Sequence, residues 1–258
     1  MAPTVLVTGA SSGIGEATAL AFARSGATVG ICARREDRLA AVLERCREHA
    51  PESRMWVGDL ADLDAIPALV ARVEGELGGI DVLVNNAGVP KRRRSATLTL
   101  EDAQEVMRIN YFSPVALTVA ALPGMLTRGS GDVVNVSSMG AHMVAFGVGA
   151  YAASKAALEM FTESLYVELV GTGVQAHLLV PGTTLSEFSA DKPGNDASFP
   201  VDPRTAATPE QVADAIVACV DDDRFLTFAT DHDAATAAAK AADPNGFLVQ
   251  MREALRGR

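Results

Sequence analysis

The chain has 258 residues, 48% hydrophobic and 21% charged, with 22 basic against 32 acidic side chains for a net charge of −10. Such a composition is that of a globule with an ordinary core, and its sign argues against nucleic acid or an anionic membrane surface as the main partner. Cys32, Cys46 and Cys219 are scattered, with no C-x-x-C spacing, so neither a disulfide framework nor a metal site is expected, and a reducing, cytoplasmic setting fits best.

In chain order, the N-terminus runs from Met1 through Val5-Leu6-Val7 straight into a glycine loop, without the charged and apolar regions of a signal peptide. No apolar run is read as approaching the roughly 18 residues of a membrane span. Short β-branched runs, TVLVT (4–8), ATVGICA (27–33), RMWVG (54–58), IDVLVN (80–85), DVVNVS (132–137) and VQAHLLV (174–180), alternate with segments of helical period at about 13–25, 36–49, 62–77, 99–128 and 149–171. Strand alternating with helix predicts an α/β fold: a doubly wound parallel sheet with helices on both faces. The near-continuous apolar strands agree, since parallel strands are covered on both sides. Residues 183–209, rich in Pro, Gly, Ser and Asp, read as a long excursion over the site. A helix at about 208–220, a strand RFLTF (224–228) and an alanine-rich helical tail from about 232 complete one domain over residues 1–258.

The loop TGASSGIG (8–15) falls on the first strand-to-helix connection. Glycines there let the backbone approach a pyrophosphate closely, facing it with the N–H groups of a helix N-terminus. The second strand ends in Arg34-Arg35, where a carboxylate would otherwise bind a ribose 2′-hydroxyl. Guanidinium pairs bidentately with phosphate, so the tip favours NADP(H) over NAD(H); the alternative is two arginines opening a helix in solvent.

Taken in order, TGASSGIG (8–15), GDL (58–60), NNAG (85–88), Asn110, Ser138, Tyr151-x-x-x-Lys155 and PGTTLS (181–186) resemble the short-chain dehydrogenase/reductase family, over residues 4 to 186. The resemblance implies a Rossmann-type sheet of about seven strands, and hydride transfer between a nicotinamide and a carbonyl or alcohol carbon. It implies catalytic roles for Asn110, Ser138, Tyr151 and Lys155. Cofactor contacts are implied at Gly9, Ser11, Ser12, Gly13, Ile14, Gly15, Arg34, Arg35, Asp59, Leu60, Asn86, Gly88, Pro181, Gly182, Thr184 and Ser186, as well as Tyr151 and Lys155. Ser186 stands where threonine is usual and keeps the hydroxyl.

The chemistry is readable beside the resemblance. A tyrosine can give or take a proton, but its ordinary pKa near 10 is too high for a base at neutral pH, and an ammonium beside it favours phenolate. Lys155, four residues after Tyr151, shares its helix face. Ser138 would steady charge on the substrate oxygen; Ser137 competes for that role, since only one of two successive strand residues faces the cleft, and the family's spacing to the tyrosine selects Ser138. Pro114 denies the Asn110 carbonyl its i→i+4 donor, freeing it to hold a water that reaches Lys155, as the family does.

Met139, Met143, Val144, Phe146, Leu185, Phe188 and Phe199 read either as an apolar pocket for a medium-to-large ketone or secondary alcohol, or as packing residues. His142 reads as near the substrate or solvated. The run Lys91-Arg92-Arg93-Arg94 reads as a solvated loop or as a dock for an anionic carrier, which makes a carrier- or CoA-bound 3-ketoacyl reductase the alternative activity. An NADP(H)-sensing or scaffold protein is the alternative of another class. Small residues Ala152, Ala153, Ala156 and Ala157 favour a homodimer through the helices at 99–128 and 149–171; a homotetramer stays open because the tail lacks the family's Gly-rich end.

Overall fold

The computed structural model describes residues 2–143, 145–190, 194–197, 201–254 and 256. Strands β1 (Thr4–Thr8), β2 (Thr28–Ala33), β3 (Arg54–Val57), β4 (Val82–Asn85), β5 (Gly131–Val136), β6 (Val174–Val180) and β7 (Leu226–Phe228) form a seven-stranded sheet in the order β3-β2-β1-β4-β5-β6-β7. Every pairing is parallel. This is the expected Rossmann-type sheet.

Side-chain alternation divides the core in two. Val5, Val7, Val29 and Ile31 face α1 (Gly13–Arg24), α2 (Glu36–Arg47) and α8 (Pro209–Asp221). Leu6, Leu83 and Val133 face the opposite layer, α3 (Ile66–Leu77), α5 (Ser113–Arg128) and α7 (Gly149–Glu168). Both layers are apolar because a parallel sheet is buried on both faces. The order reverses between β1 and β4, and a crevice opens above the carboxyl ends of such a switch point.

The expected helix at 99–128 is interrupted. It consists of α4 (Leu100–Met107), a π-helical turn over Arg108–Phe112, and α5. Pro114 supplies the cause: it has no N–H to continue the α-helical ladder, and the Ser113 N–H instead reaches the Arg108 carbonyl. The expectation that no segment has membrane-span length is also corrected. The continuous stretch Leu100–Arg128 is 29 residues long with a window of mean hydropathy 1.4, so by length and composition alone it qualifies. It is apolar on two sides: Leu117, Ala121 and Met125 pack on the sheet, while Phe112, Val119 and Leu126 are exposed.

The tail is helical as expected, in α9 (Asp231–Ala242) and α10 (Pro244–Ala254), and β7 is shorter than RFLTF. The ends of the 183–209 excursion are tied together, Leu185 N donating to Ala207 O at 2.9 Å and Ala207 N to Thr183 O at 2.9 Å.

Candidate active site

The carboxyl ends of β1, β4, β5 and β6 surround a cleft of about 560 Å³. Of the residues the sequence singles out for catalysis and cofactor contact, only Asn110 is absent from its lining.

The glycine loop is built for close approach. Gly9 has φ +68°, and a Cβ there would stand 2.8 Å from the Ala87 Cα; a Cβ on Gly15 would stand 2.5 Å from both the Gly9 carbonyl oxygen and Asn86 Nδ2. Asn86 locks the switch point by donating from Nδ2 to the Thr8 carbonyl at 2.9 Å, while the Thr8 hydroxyl accepts from Asn86 N at 3.0 Å. The result is a cradle of bare backbone at the start of α1, which fits a pyrophosphate.

Across the cleft, Ser138 Oγ accepts from Gly140 N at 3.0 Å and hydrogen-bonds Tyr151. Ser137, which also lines the cleft, donates from its hydroxyl to Glu159 Oε1 at 2.5 Å. The Ser137 hydroxyl is thus engaged with Glu159, while that of Ser138 is engaged with Tyr151. Lys155 is buried and donates from Nζ to the Val136 carbonyl at 2.8 Å. Burial lowers its pKa to about 8, against an upward pull from the Glu159 charge. The expected depression of the Tyr151 pKa by the lysine is not found. Burial instead pushes the phenol up to about 12, with a smaller downward pull from the Ser138 hydrogen bond, because a dry site penalises phenolate.

Asn110 is fully buried behind the cleft. Its Oδ1 accepts from Val89 N at 2.8 Å, and its Nδ2 donates to Val89 O at 3.2 Å and Ser154 Oγ at 3.1 Å. It thereby pins the loop after β4 to α7.

The two arginines diverge. Arg34 is exposed, 3.9 Å from Asp59 Oδ2. Arg35 turns back over the glycine loop, donating from Nη2 to Ser11 Oγ at 3.0 Å and Ser12 Oγ at 2.6 Å, and from Nη1 to Glu187 Oε2 at 3.0 Å. Glu187 and Arg38, which pairs with it, escaped the sequence reading.

Met139, Met143 and Phe188 line the cleft, with the Phe188 ring 5.9 Å from that of Tyr151. Phe146 and Leu185 are exposed and line nothing there, Phe146 lying 5.4 Å beneath the Arg94 guanidinium. Val144 and Phe199 lie outside the described residues. The tail contributes His232 and Thr236 of α9, which the sequence reading missed. Its legible signal was the cap: Thr230 Oγ1 accepts from Asp233 N at 3.1 Å, and Asp233 Oδ2 accepts from Gly182 N at 3.2 Å. His142 neither lines the cleft nor stands alone; its Nε2 is 3.0 Å from Glu159 Oε2.

The basic run is paired along three of its four residues. Lys91 Nζ is 2.8 Å from Asp102 Oδ1 and 2.7 Å from Glu105 Oε2, and Arg93 Nε is 3.4 Å from Asp102 Oδ2. Arg92 is buried and donates to the carbonyls of Ser189 and Ala190. Lys91, Arg92 and Arg93 thus tie the loop after β4 to α4 and to the excursion, Lys91 and Arg92 also lining the cleft, while Arg94 is exposed.

A glycine-cradled switch point facing a Ser-Tyr-Lys set defines a dinucleotide-dependent oxidoreductase of the α/β class. The sequence model described as short chain dehydrogenase matches residues 3–197. A short chain dehydrogenase of Pseudocercospora fijiensis is 40% identical over 235 residues, which is 86% of this chain and 76% of the relative. Ketoacyl reductase HetN of Nostoc sp. is 35% identical over 84% of this chain and 75% of its own length. The solved structure of a short-chain dehydrogenase from Sphingobium yanoikuyae in complex with NADPH superposes with a TM-score of 0.80 at 29% identity, covering 96% of this chain and 95% of that one. The chain belongs to the short-chain dehydrogenase family, and is an oxidoreductase acting on CH–OH or C=O groups with NAD(P).

Proposed function

We propose that this protein is an NADP(H)-dependent carbonyl reductase acting on an apolar, medium-to-large ketone or the corresponding secondary alcohol. The observation that carries the reading is the convergence of Ser138, Tyr151 and the buried Lys155 on the cleft that the glycine cradle also lines. A bound dinucleotide supplies or accepts the hydride. Tyr151, its phenol pushed up to about 12, is protonated at neutral pH; that is the state a proton donor to a ketone oxygen needs. Ser138 Oγ steadies the same oxygen as charge develops. Lys155 stands one turn from Tyr151, its ammonium weakened by burial; positive charge at that place favours phenolate as the phenol's proton leaves for the ketone oxygen.

Arg35 supports the phosphorylated cofactor, since its guanidinium already lies over the glycine loop among hydroxyl and carboxylate oxygens. Apolar Met139, Met143 and Phe188 support the substrate class. The ketoacyl alternative draws on the Nostoc relative, but Lys91 and Arg92 of the basic run that motivated it already have partners within the chain. The sensor alternative predicts no turnover. For assembly we infer a homodimer through α5 and α7, where Val119, Met160 and Val167 are exposed beside the exposed Ala153 and Ala156; a tetramer is the other outcome of a sedimentation measurement. The free, buried thiols suit a reducing cytoplasm.

The test is a substrate screen in both directions with cofactor saturating and Tyr151→Phe as the blank. Turnover of apolar ketones by the parent alone supports the reading; no turnover of any carbonyl or alcohol overturns it.

A further inference from the structure

Residue 187 places a carboxylate inside a cleft whose ligand is anionic. The segment after β6 lies over the glycine loop, so that a Cβ on Gly13 would come within 3.2 Å of Ser186 Cβ. Ser186 caps a short 3-10 turn, Glu187–Ser189, its Oγ accepting from Phe188 N at 3.4 Å. From that turn Glu187 reaches back to α2. Its Oε2 takes a hydrogen bond from Arg35 Nη1 at 3.0 Å, and Arg38 Nη1 donates to Oε1 at 2.6 Å and Oε2 at 2.7 Å. The arginines' hydrogen bonds and charges, Arg38's first, hold this carboxyl down to about 2, so it is ionised at every working pH.

We propose that Glu187 sets how strongly this cleft distinguishes a 2′-phosphorylated dinucleotide from its unphosphorylated counterpart, as a resident anion on Arg35 and Arg38 that the 2′-phosphate must displace. The inference rests on the NADP(H) reading above. Arg35 is engaged through all three of its nitrogens: Nε and Nη2 donate to the Ser11 and Ser12 hydroxyls and Nη1 to Glu187. An incoming phosphate therefore competes with the carboxylate for the two guanidiniums, and a carboxylate that stayed would repel it. The three side chains are 42%, 46% and 55% exposed, and pairs so open to water are weak enough to exchange. An unphosphorylated ribose brings no anion to the arginines, so Glu187 keeps its partners and neutralises cations that would otherwise stand unpaired beside a hydroxyl. Glu187 thus narrows the contrast between the two cofactors from the loop side, while Arg35 widens it from the strand side.

The experiment is fluorescence titration of the purified full chain with NADPH and with NADH, for the parent, Glu187→Gln and Arg35→Ala, in one low-salt buffer. Glu187→Gln should tighten NADPH about three- to tenfold, the scale of a charge-assisted contact no longer contested, and change NADH less than about twofold. Equal changes for both cofactors, or weaker NADPH, would overturn the proposal and leave Glu187 as a clasp for the loop. Arg35→Ala tests the reading beneath it by weakening NADPH selectively. If that variant lowers the NADPH-to-NADH preference while Glu187→Gln fails to raise it, only the role of Glu187 falls. If neither variant moves the preference, the 2′-phosphate site itself is wrong.

Discussion

Ser137 and Glu159 form a buried 2.5 Å hydrogen bond between the end of β5 and the middle of α7. With the Ser137 hydroxyl engaged there and that of Ser138 on Tyr151, the proposed mechanism assigns stability to the first and catalysis to the second. Ser137→Ala should cost about 1–3 kcal/mol by leaving a buried carboxylate oxygen short of a donor, read as a lower unfolding midpoint with kcat within a few-fold of the parent. Ser138→Ala should keep the midpoint and lower kcat about 100-fold or more. Equal losses of kcat in both variants would contradict the assignment.

Lys155 carries a pH signature that needs no substrate. Its pKa falls from 10.5 to about 8 on burial, so between those values the unfolded chain binds the proton that the folded chain has released. Stability then rises with pH across about 8 to 10.5, the penalty being fully present below 8 and absent above 10.5. Other groups titrate there too, including Cys46, which burial pushes up to about 11, so the comparison is with Lys155→Met. The unfolding free energy of the parent relative to that variant should climb by up to about 3 kcal/mol over the window. A flat difference in urea unfolding at pH 7 and pH 10.5 would mean that the lysine is not held in a dry site.

The basic loop makes a contrasting prediction. Arg92 donates to two excursion carbonyls from a position only 3% exposed, whereas Arg94 uses its backbone N–H for Asp196 and rests its guanidinium on Phe146. Arg92→Ala should cost about 2–4 kcal/mol through unpaired buried carbonyls and lost packing, while Arg94→Ala should stay within about 1 kcal/mol. Thermal melts of both variants check this. A preference for anionic over neutral ketones that vanished in Arg94→Ala would revive the run as a dock.

What could be read in advance follows sequence distance. The glycine loop and Tyr151-x-x-x-Lys155 each lie within one connection or one helix, so spacing alone conveys their geometry. Alternation gave both buried faces of the sheet for the same reason. Arg38 and Glu187 are 149 residues apart, and nothing local marks an arginine on a helix's first turn as the partner of a glutamate beyond the sixth strand. His232 and Thr236 were missed because the ties that carry the start of α9 to the cleft, the β6–β7 pairing and the Gly182–Asp233 hydrogen bond, are long-range. The rise in the Tyr151 pKa was illegible because it depends on how dry the finished cleft is.

Pro114 offers the sharpest local test. Its missing N–H imposes the π turn at Arg108–Phe112, and that turn presents Asn110 to Val89 and Ser154. Pro114→Ala restores a donor, so α4 and α5 gain the option of running on as regular helix, which would rotate Asn110 off its partners and loosen the loop behind Lys155. Helix continuity alone would raise stability, since an interior proline costs about 3 kcal/mol. The expected result is an unfolding midpoint equal to or above the parent's with kcat down about tenfold, the loss that misplacing a supporting group by a fraction of an ångström brings. Loss of stability together with full activity would show that the turn serves packing and not the site.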